Sequence, residues 1–384
     1  MRFAFSTASK ILFGSGVVAQ VPEEASRMGR RALVVRGGSP ERAAGLLGGL
    51  RARGLDAVEF GVSREPTVEI ILAGVALARE RGCELVIGMG GGSVIDAAKA
   101  IAALMTNPGD IFDYLEVIGR AQPLDVPAAP CIAVPTTAGT GAEVTRNAVI
   151  ISPEHQVKVS MRSDSMMPDL VAADPELTRT LPPDVTASTG LDALTQLIEA
   201  FVSARANPIT DSLCREGLQR AARSLRAACA NGDDMKARED MMLAGLLSGM
   251  ALANAGLGAV HGFAAPLGGM IEAPHGAICA RLLPIVMEAN LRALAGRDPK
   301  SPALARFDEI ARVLCGNPGA DARQGIAWVR ETCRDLGIQP LSRLGLARDR
   351  IPDLVERAMR ASSMKGNPAA LTQGELTGII EEAL

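Results

Sequence analysis

The sequence predicts an α/β protein whose N-terminal half is built on a parallel sheet and whose C-terminal half is all helical. Two patterns in the 384-residue chain predict this division. Up to residue 180, short apolar runs alternate with amphipathic segments, an order typical of a parallel sheet with helices on both faces. Beyond Pro183, apolar residues recur at three- and four-residue spacing and strand patterns disappear. We place the boundary near residues 178–183, which gives domains of residues 1–180 and 181–384.

The individual elements follow from the positions of the apolar runs. Residues 3–13 alternate in polarity, carry three Phe and precede Gly14 and Gly16, so they predict an edge strand or hairpin. The remaining predicted strands are 32–35, 56–60, 85–87, 131–134, 147–151, 158–161 and 170–174. The predicted helices are 41–53, 68–81, one from Val94 onwards, 185–203, 208–230, 236–271, 303–315, 322–336, 350–360 and 373–383.

A glycine-rich turn joins the strand at 85–87 to the helix that follows it. Its sequence is GMGGGS, from Gly88 to Ser93. Glycines let backbone N–H groups approach an anion, and a helix N-terminus adds partial positive charge. Ser93 is placed to cap the helix and to donate to a phosphate oxygen. An ordinary strand–helix turn needs fewer glycines, so the pattern favours phosphate binding.

A second loop of the same kind, PTTAGTGAEVT (135–145), follows the strand at 131–134. It offers Gly139 and Gly141 for conformational freedom and several threonine hydroxyls. Because the carboxyl ends of parallel strands meet at one sheet edge, the two loops predict a single nucleotide-binding crevice.

Composition excludes several classes of function. A net charge of −3 and only one Trp, one Tyr and eight Phe argue against a nucleic-acid partner. Seven scattered cysteines without a Cys-x-x-Cys pair form neither a disulfide framework nor a zinc ribbon, and they favour the cytosol. No apolar run reaches signal-peptide or transmembrane length, so we expect a cytoplasmic protein without a membrane partner.

The C-terminal half contains a candidate metal site. Asp192, Gln196 and Glu199 are spaced i, i+4 and i+7, so they share one helix face, which suits a metal site or equally a solvated surface. His261 and His275 are two of only three histidines, and both lie in apolar, glycine-rich segments. One buried His is usually a core residue, whereas two with an Asp nearby make a site for a divalent ion plausible.

These motifs together resemble the iron-containing (group III) alcohol dehydrogenase family, which is related to glycerol dehydrogenase and, more distantly, to dehydroquinate synthase. The resemblance runs from end to end through FGSG, GMGGGSVIDAAKA, PTTAGTGAEVT, DPELT, GLDALTQLIEA, LGAVHG and PHG. It implies an N-terminal α/β nucleotide-binding domain, a helical C-terminal domain and an active site in the cleft between them. The implied reaction is the NAD(P)-dependent interconversion of an alcohol with an aldehyde or ketone, in a homodimer or larger oligomer.

By position, the resemblance also implies the roles of individual residues. The cofactor would be held by Gly37, Gly38, Ser39, Gly90, Gly91, Gly92, Ser93, Asp96, Thr136, Thr137, Thr140 and Lys158. Within this set, Gly90 to Ser93 would bind the pyrophosphate and Asp96 would support their loop. The threonines would contact the adenosine-to-ribose half, and Lys158 the nicotinamide ribose. The metal, Fe or Zn, would be bound by Asp192, Gln196, His261 and His275.

Two residues near the implied metal depart from the family pattern. Gln196 stands where the second ligand is usually His, and an amide oxygen is a weak ligand for Fe or Zn. Glycerol dehydrogenases use one Asp and two His, so three ligands plus water remain workable. Ala265 replaces a family His assigned to proton relay, so water or a cofactor ribose hydroxyl would take that role.

A third departure concerns the choice of cofactor. The segment VVRGGSPER (34–42) lacks the acidic residue that often binds the ribose 2′-hydroxyl after this strand. With Gly37, Gly38 and Ser39 here, and Arg36 and Arg42 nearby, NADP should be accepted as well as NAD.

The sequence therefore predicts an NAD(P)-dependent alcohol dehydrogenase or aldehyde/ketone reductase. A divalent ion on Asp192, His261 and His275 would polarise the carbonyl oxygen, and the nicotinamide would supply hydride. Three alternatives stay open. They are a metal-independent reductase in which Gln196 binds substrate, a lyase of the dehydroquinate synthase type, and a non-catalytic nucleotide-binding relative. The lyase is disfavoured because the segments around Asp192 and His261 are nearly free of Lys and Arg.

Overall fold

A computed structural model describes residues 2–155 and 157–384 and divides the chain into two compact units. The first is Thr7–Arg179, which contains every strand within the described ranges. The second is Thr180–Leu384 together with the N-terminal segment that ends at Ser6. Its described elements are all helical, so the expected combination of an α/β half and a helical half is confirmed.

The first unit is a six-stranded parallel sheet with helices on both faces. Along the sheet the strands run β1-β8-β5-β4-β2-β3, and β6 and β7 form a separate antiparallel pair. The strands are β1 Lys10–Phe13, β2 Arg31–Arg36, β3 Asp56–Gly61, β4 Leu85–Gly90, β5 Cys131–Pro135, β6 Asn147–Ser152, β7 Val157–Arg162 and β8 Leu170–Ala173. The helices of this unit are α1 Val21–Ser26, α2 Ala44–Ala52, α3 Val68–Glu80 and α4 Gly92–Thr106. Of the segment 3–13, only Lys10–Phe13 forms a strand, and it lies at the sheet edge as expected.

Each central strand is apolar on both sides because helices cover both faces of the sheet. Leu33 and Val86 pack into one hydrophobic core, whereas Val34, Leu85 and Ile87 pack into the other. Strands β4 and β5 are direct neighbours in the sheet, so the loops that follow them begin side by side at its carboxyl edge.

The second unit contains nine helices within the described ranges. They are α5 Pro183–Val202, α6 Pro208–Ala230, α7 Met235–Ala255, α8 Ala259–Met270, α9 His275–Arg297, α10 Pro302–Cys315, α11 Ala322–Asp335, α12 Ile351–Arg360 and α13 Gln373–Ala383. No single described helix is long and apolar enough to cross a membrane; α7 and α8 meet that length and composition only as a pair bent by 100°.

Two features of this unit differ from the sequence prediction. The segment 236–271, predicted as one helix, is two helices, because the chain turns at Gly256, whose φ of +70° ends α7. Helix α9 was not predicted at all. It places His275 at its first residue and continues for 23 residues.

Candidate active site

The glycine turn lies at the N-terminus of α4, against the second loop. Helix α4 begins at Gly92, its N-cap is Gly91, and no side chain caps it in the described structure. The first N–H groups of a helix have no partner within the helix, so this end suits a phosphate. The expectation that Ser93 caps α4 was wrong, because the helix begins one residue earlier and Ser93 lies inside its first turn.

Close packing leaves no room for a side chain at two glycines of this turn. A Cβ at Gly92 would lie 2.9 Å from the Thr140 hydroxyl oxygen, and one at Gly90 would lie 2.5 Å from Val94. At Gly91 the nearest atoms belong to Thr137, at 3.3 Å. The two loops predicted to share one sheet edge are therefore in contact. Of the threonines assigned to the cofactor, Thr137 and Thr140 are half-buried, whereas Thr136 is buried.

Lys99 fixes the shape of the second loop. The side chain is fully buried, and its ammonium donates to the carbonyls of Ala142 (2.7 Å) and Asn147 and to the Thr145 hydroxyl (3.0 Å). It also pairs with Asp96 at 3.1 Å. A buried ammonium is stable only when such partners replace water, so the loop conformation and Lys99 depend on each other.

Two residues assigned to the cofactor have other partners in this structure. Asp96 accepts from the Val149 backbone N–H at 3.1 Å, and burial raises the pKa of its carboxyl despite the nearby Lys99. It therefore connects α4 to β6. Lys158, on β7, pairs with Glu65 at 2.6 Å and is largely buried.

The loop after β2 contains Gly37, Gly38 and Ser39, and it lies at the same carboxyl edge, since β2 pairs with β4. The two arginines near it have partners of their own. Arg36 pairs with Glu59 at 2.9 Å, and Arg42 donates to the carbonyl oxygen of Leu177 at 2.6 Å.

The helical unit brings four potential metal ligands together. One atom each of Asp192, His261, His275 and Cys279 lies within 4.8 Å of the other three. Asp192 comes from α5, His261 from α8, and the other two from the first turns of α9. The prediction had named three of these residues and had missed Cys279.

The Asp192 carboxylate is the centre of this cluster. It is 2% exposed, and its Oδ1 is one of three buried side-chain atoms in the described structure that lack a hydrogen-bond partner. Oδ1 lies 3.4 Å from His261 Nε2 and 3.9 Å from His275 Nε2. A buried carboxylate oxygen that accepts no hydrogen bond is costly, whereas a cation among these atoms would satisfy it. The residues therefore fit a divalent metal ion.

The charges of the cluster are strongly coupled. Burial alone would raise the pKa of Asp192, but His261 and His275 hold it below its usual value. Burial alone would lower the pKa of His261, but Cys279, Asp192 and Glu199 raise it well above its usual value. The cluster thus attracts positive charge, in the form of a proton or of a metal ion.

Glu199 orients His261. Its Oε2 lies 2.6 Å from His261 Nδ1, and its Oε1 accepts from the Val260 N–H at 2.7 Å, at the start of α8. With Nδ1 bonded to Glu199, Nε2 faces Asp192, as in the carboxylate–histidine–metal arrangement. A Cβ at Gly258 would lie 2.9 Å from the Glu199 carboxylate, so this contact requires glycine there.

Gln196 is not placed as a ligand in this structure. Its amide nitrogen donates to Asp192 Oδ2 at 3.1 Å, and its oxygen accepts from the Ser248 hydroxyl at 2.7 Å. An N–H group cannot ligate a cation. Ala265, the position of the missing relay histidine, lies on α8 and is exposed.

Two family models together match nearly the whole chain. Residues 8–175 match the profile of iron-containing alcohol dehydrogenases, and residues 186–384 match the C-terminal profile of the Fe-containing alcohol dehydrogenase family. The chain belongs to the iron-containing alcohol dehydrogenase family. Its activity is thus that of an oxidoreductase acting on alcohols, as the sequence predicted.

Several family members resemble the chain over most of its length. Alcohol dehydrogenase 4 of Saccharomyces cerevisiae (strain YJM789) is 39% identical over 336 residues, which cover 87% of this chain and 85% of that protein. The 1,3-propanediol dehydrogenase of Klebsiella pneumoniae is 36% identical, with the same shares covered.

Solved structures of family members have the same fold. A crystal structure of 1,3-propanediol oxidoreductase matches with a TM-score of 0.93 and 33% identity, over 100% of both chains. Sulfoacetaldehyde reductase from Bifidobacterium kashiwanohense, in complex with NAD+, matches with a TM-score of 0.87 and 29% identity, over 100% of this chain and 99% of that one.

Proposed function

We propose that this chain is a nicotinamide-dependent alcohol dehydrogenase that interconverts a small alcohol with its aldehyde or ketone. The observation that carries the proposal is the buried Asp192 Oδ1, which accepts no hydrogen bond and faces the Nε2 atoms of His261 and His275. The bound groups would supply hydride at the nicotinamide and Lewis acidity at a divalent ion.

The residues of the chain bind and orient these groups. Asp192, His261 and His275 would hold the ion, and Glu199 keeps the His261 ring in the orientation that directs Nε2 towards Asp192. The uncapped N-terminus of α4 would hold the cofactor pyrophosphate through backbone N–H groups of Gly92 and Ser93.

The loop after β2 supports NAD as a cofactor. With Arg36 and Arg42 nearby, NADP was expected to be accepted as well as NAD, but Arg36 is paired with Glu59 and Arg42 donates to a backbone carbonyl. These contacts already use part of the hydrogen-bonding capacity of both guanidinium groups, and the Glu59 carboxylate offsets the charge that Arg36 would offer a 2′-phosphate. We therefore expect a lower KM for NADH than for NADPH.

The experiment is metal analysis combined with a reductase assay across small aldehydes, and with 1,3-propanediol oxidation in the reverse direction. Chelation and His261→Ala should each abolish turnover, and readdition of Zn or Fe should restore only the chelated wild type. Activity that survives both treatments would refute the metal mechanism and favour the metal-independent reductase. A chain that binds neither NADH nor NADPH would refute the proposed dehydrogenase and favour the non-catalytic alternative. Glu41→Gln, an exposed change in the other unit, is the control.

The proposal also includes a homodimeric state and a cytosolic location. Strand β1 lies at the sheet edge, which supports pairing between two copies in a homodimer. A monomeric mass in light scattering would refute it. All seven cysteines lie in the described ranges and are free, which supports a reducing cytosol.

A further inference from the structure

Cys279 belongs to the ligand cluster by position. It lies on α9, one helical turn after His275, and is fully buried. Its Sγ lies 3.6 Å from His275 Nε2 and 3.8 Å from His261 Nε2. We propose that the Cys279 thiolate is the fourth metal ligand of this chain, in the place that Gln196 does not fill, and that it makes the site more selective for zinc over iron(II). The inference rests on the metal site of the proposed function and adds a ligand to it.

The separations between these atoms agree with tetrahedral zinc. With Zn–N and Zn–O bonds of about 2.1 Å and a Zn–S bond of about 2.3 Å, a tetrahedron places N and O about 3.4 Å apart, and N and S about 3.6 Å apart. The nitrogen-to-oxygen distances from His261 and His275 to Asp192 are 3.4 and 3.9 Å. The nitrogen-to-sulfur distances from Cys279 are 3.8 and 3.6 Å. Little movement is needed for all four atoms to bind one ion.

A second observation separates this site from a cysteine buried only for packing. The Asp192 carboxylate has a buried oxygen, Oδ1, that accepts no hydrogen bond, and this oxygen lies in the same cluster as the Cys279 sulfur. A buried carboxylate oxygen that accepts no hydrogen bond has lost its hydration without full compensation. One ion bound by all four side chains would satisfy Asp192 and use the thiol at the same time.

The donor set determines which metal is favoured. Gln196 stands at the usual histidine position. Its amide N–H donates to Asp192 and its amide oxygen accepts from Ser248, so both polar ends of the side chain are already hydrogen-bonded. A carboxylate and a thiolate together carry two negative charges, which match a divalent ion. Thiolate ligands favour zinc, whereas carboxylate and imidazole ligands alone discriminate less between zinc and iron(II). Zinc also expands to five-coordination, which leaves a position for substrate oxygen.

The test uses the full chain loaded with one Co(II) or one Zn(II) and is read by spectroscopy rather than by turnover. Cobalt-loaded wild type should show thiolate-to-cobalt charge-transfer absorption, which Cys279→Ser should lose. The control Cys315→Ser, at the end of α10 in the same unit, should keep it. X-ray absorption of the zinc-loaded wild type should show one sulfur neighbour at about 2.3 Å. Cys279→Ser should lower zinc affinity by about tenfold or more, since loss of even an outer-shell partner costs roughly 10–100-fold. In anaerobic competition it should also lower the zinc-to-iron(II) loading ratio, because thiolate ligands favour zinc.

The outcomes separate the two proposals. A wild-type ion surrounded only by nitrogen and oxygen, or a charge-transfer band that survives Cys279→Ser, overturns the thiolate ligand and leaves the Asp/His metal site intact. If Cys279→Ser does not fold, the absorption spectrum of the wild type decides alone. A chain that binds no divalent ion overturns this inference and the metal site of the proposed function together.

Discussion

Glu143 should make the stability of the α/β unit depend on pH. It lies in the second loop, on a 3-10 turn at Ala142–Val144, and is 3% exposed. Burial raises the pKa of its carboxyl from 4.5 to about 7. The unfolded chain loses this proton above about pH 4.5, whereas the folded chain keeps it until about pH 7. The stability that protonated Glu143 provides is thus complete below pH 4.5 and is lost as the pH rises through 7.

The size of the effect follows from the two pKa values. Their difference, 7 − 4.5, is about 2.5, and at about 1.4 kcal/mol for each pKa unit it corresponds to about 3–4 kcal/mol. Glu143→Gln is neutral at every pH. Its free energy of unfolding relative to wild type should therefore increase by about 3–4 kcal/mol between pH 4.5 and 8.

Urea unfolding of both proteins across this pH range measures the difference, with the exposed Glu41→Gln as the control that should show no trend. If the difference between Glu143→Gln and wild type is the same at pH 4.5 and pH 8, then Glu143 is not protonated in the folded protein and the reasoning fails.

Three further changes test the two sites. Glu199→Gln removes the charge that orients His261, so metal affinity measured by chelator competition should fall roughly 10–100-fold; unchanged affinity would contradict the orienting role. Gly92→Val introduces a Cβ 2.9 Å from the Thr140 hydroxyl, so NADH binding followed by fluorescence should weaken while metal content stays at wild-type level; unaltered binding would contradict the pyrophosphate role of the turn. Lys99→Met leaves buried acceptors unpaired and should destabilise the chain by about 3–5 kcal/mol in thermal unfolding; a variant as stable as wild type would show that the second loop does not need it.

Most of the fold could be predicted from the sequence, because period-2 and period-3.6 patterns report burial directly. Every predicted strand was found. Strand β4 is apolar on both faces because each face packs into a different hydrophobic core. Helix α9 was missed, since it begins within the glycine- and proline-rich stretch around His275 and Pro284 interrupts its interior. The division of 236–271 depends on the positive φ of Gly256, which sequence periodicity does not reveal.

Cys279 was not predicted as a ligand because helix α9, which contains it, was not predicted. Once α9 is known to begin at His275, Cys279 follows at i+4 on the same face, but without the helix it is one of seven scattered cysteines. Hydrogen bonds between segments that are distant in sequence were also not predicted. Asp96 was expected to support the glycine turn and instead bonds Val149, 53 residues away. The orienting contact between Glu199 and His261 spans 62 residues.

The tight packing of the glycine turn has a consequence for interpreting related sequences. Because side chains at positions 90 and 92 would collide with Val94 and Thr140, these glycines are required by the fold even if no cofactor ever binds. A descendant that lost its enzymatic activity would keep Gly90 and Gly92 for as long as it kept this packing. Loss of activity would appear first in the donor side chains themselves, Asp192, His261 and His275, which the packing of this turn does not constrain. In such sequences the glycine motif identifies the ancestry of a protein, and the donor atoms of the helical unit identify its chemistry.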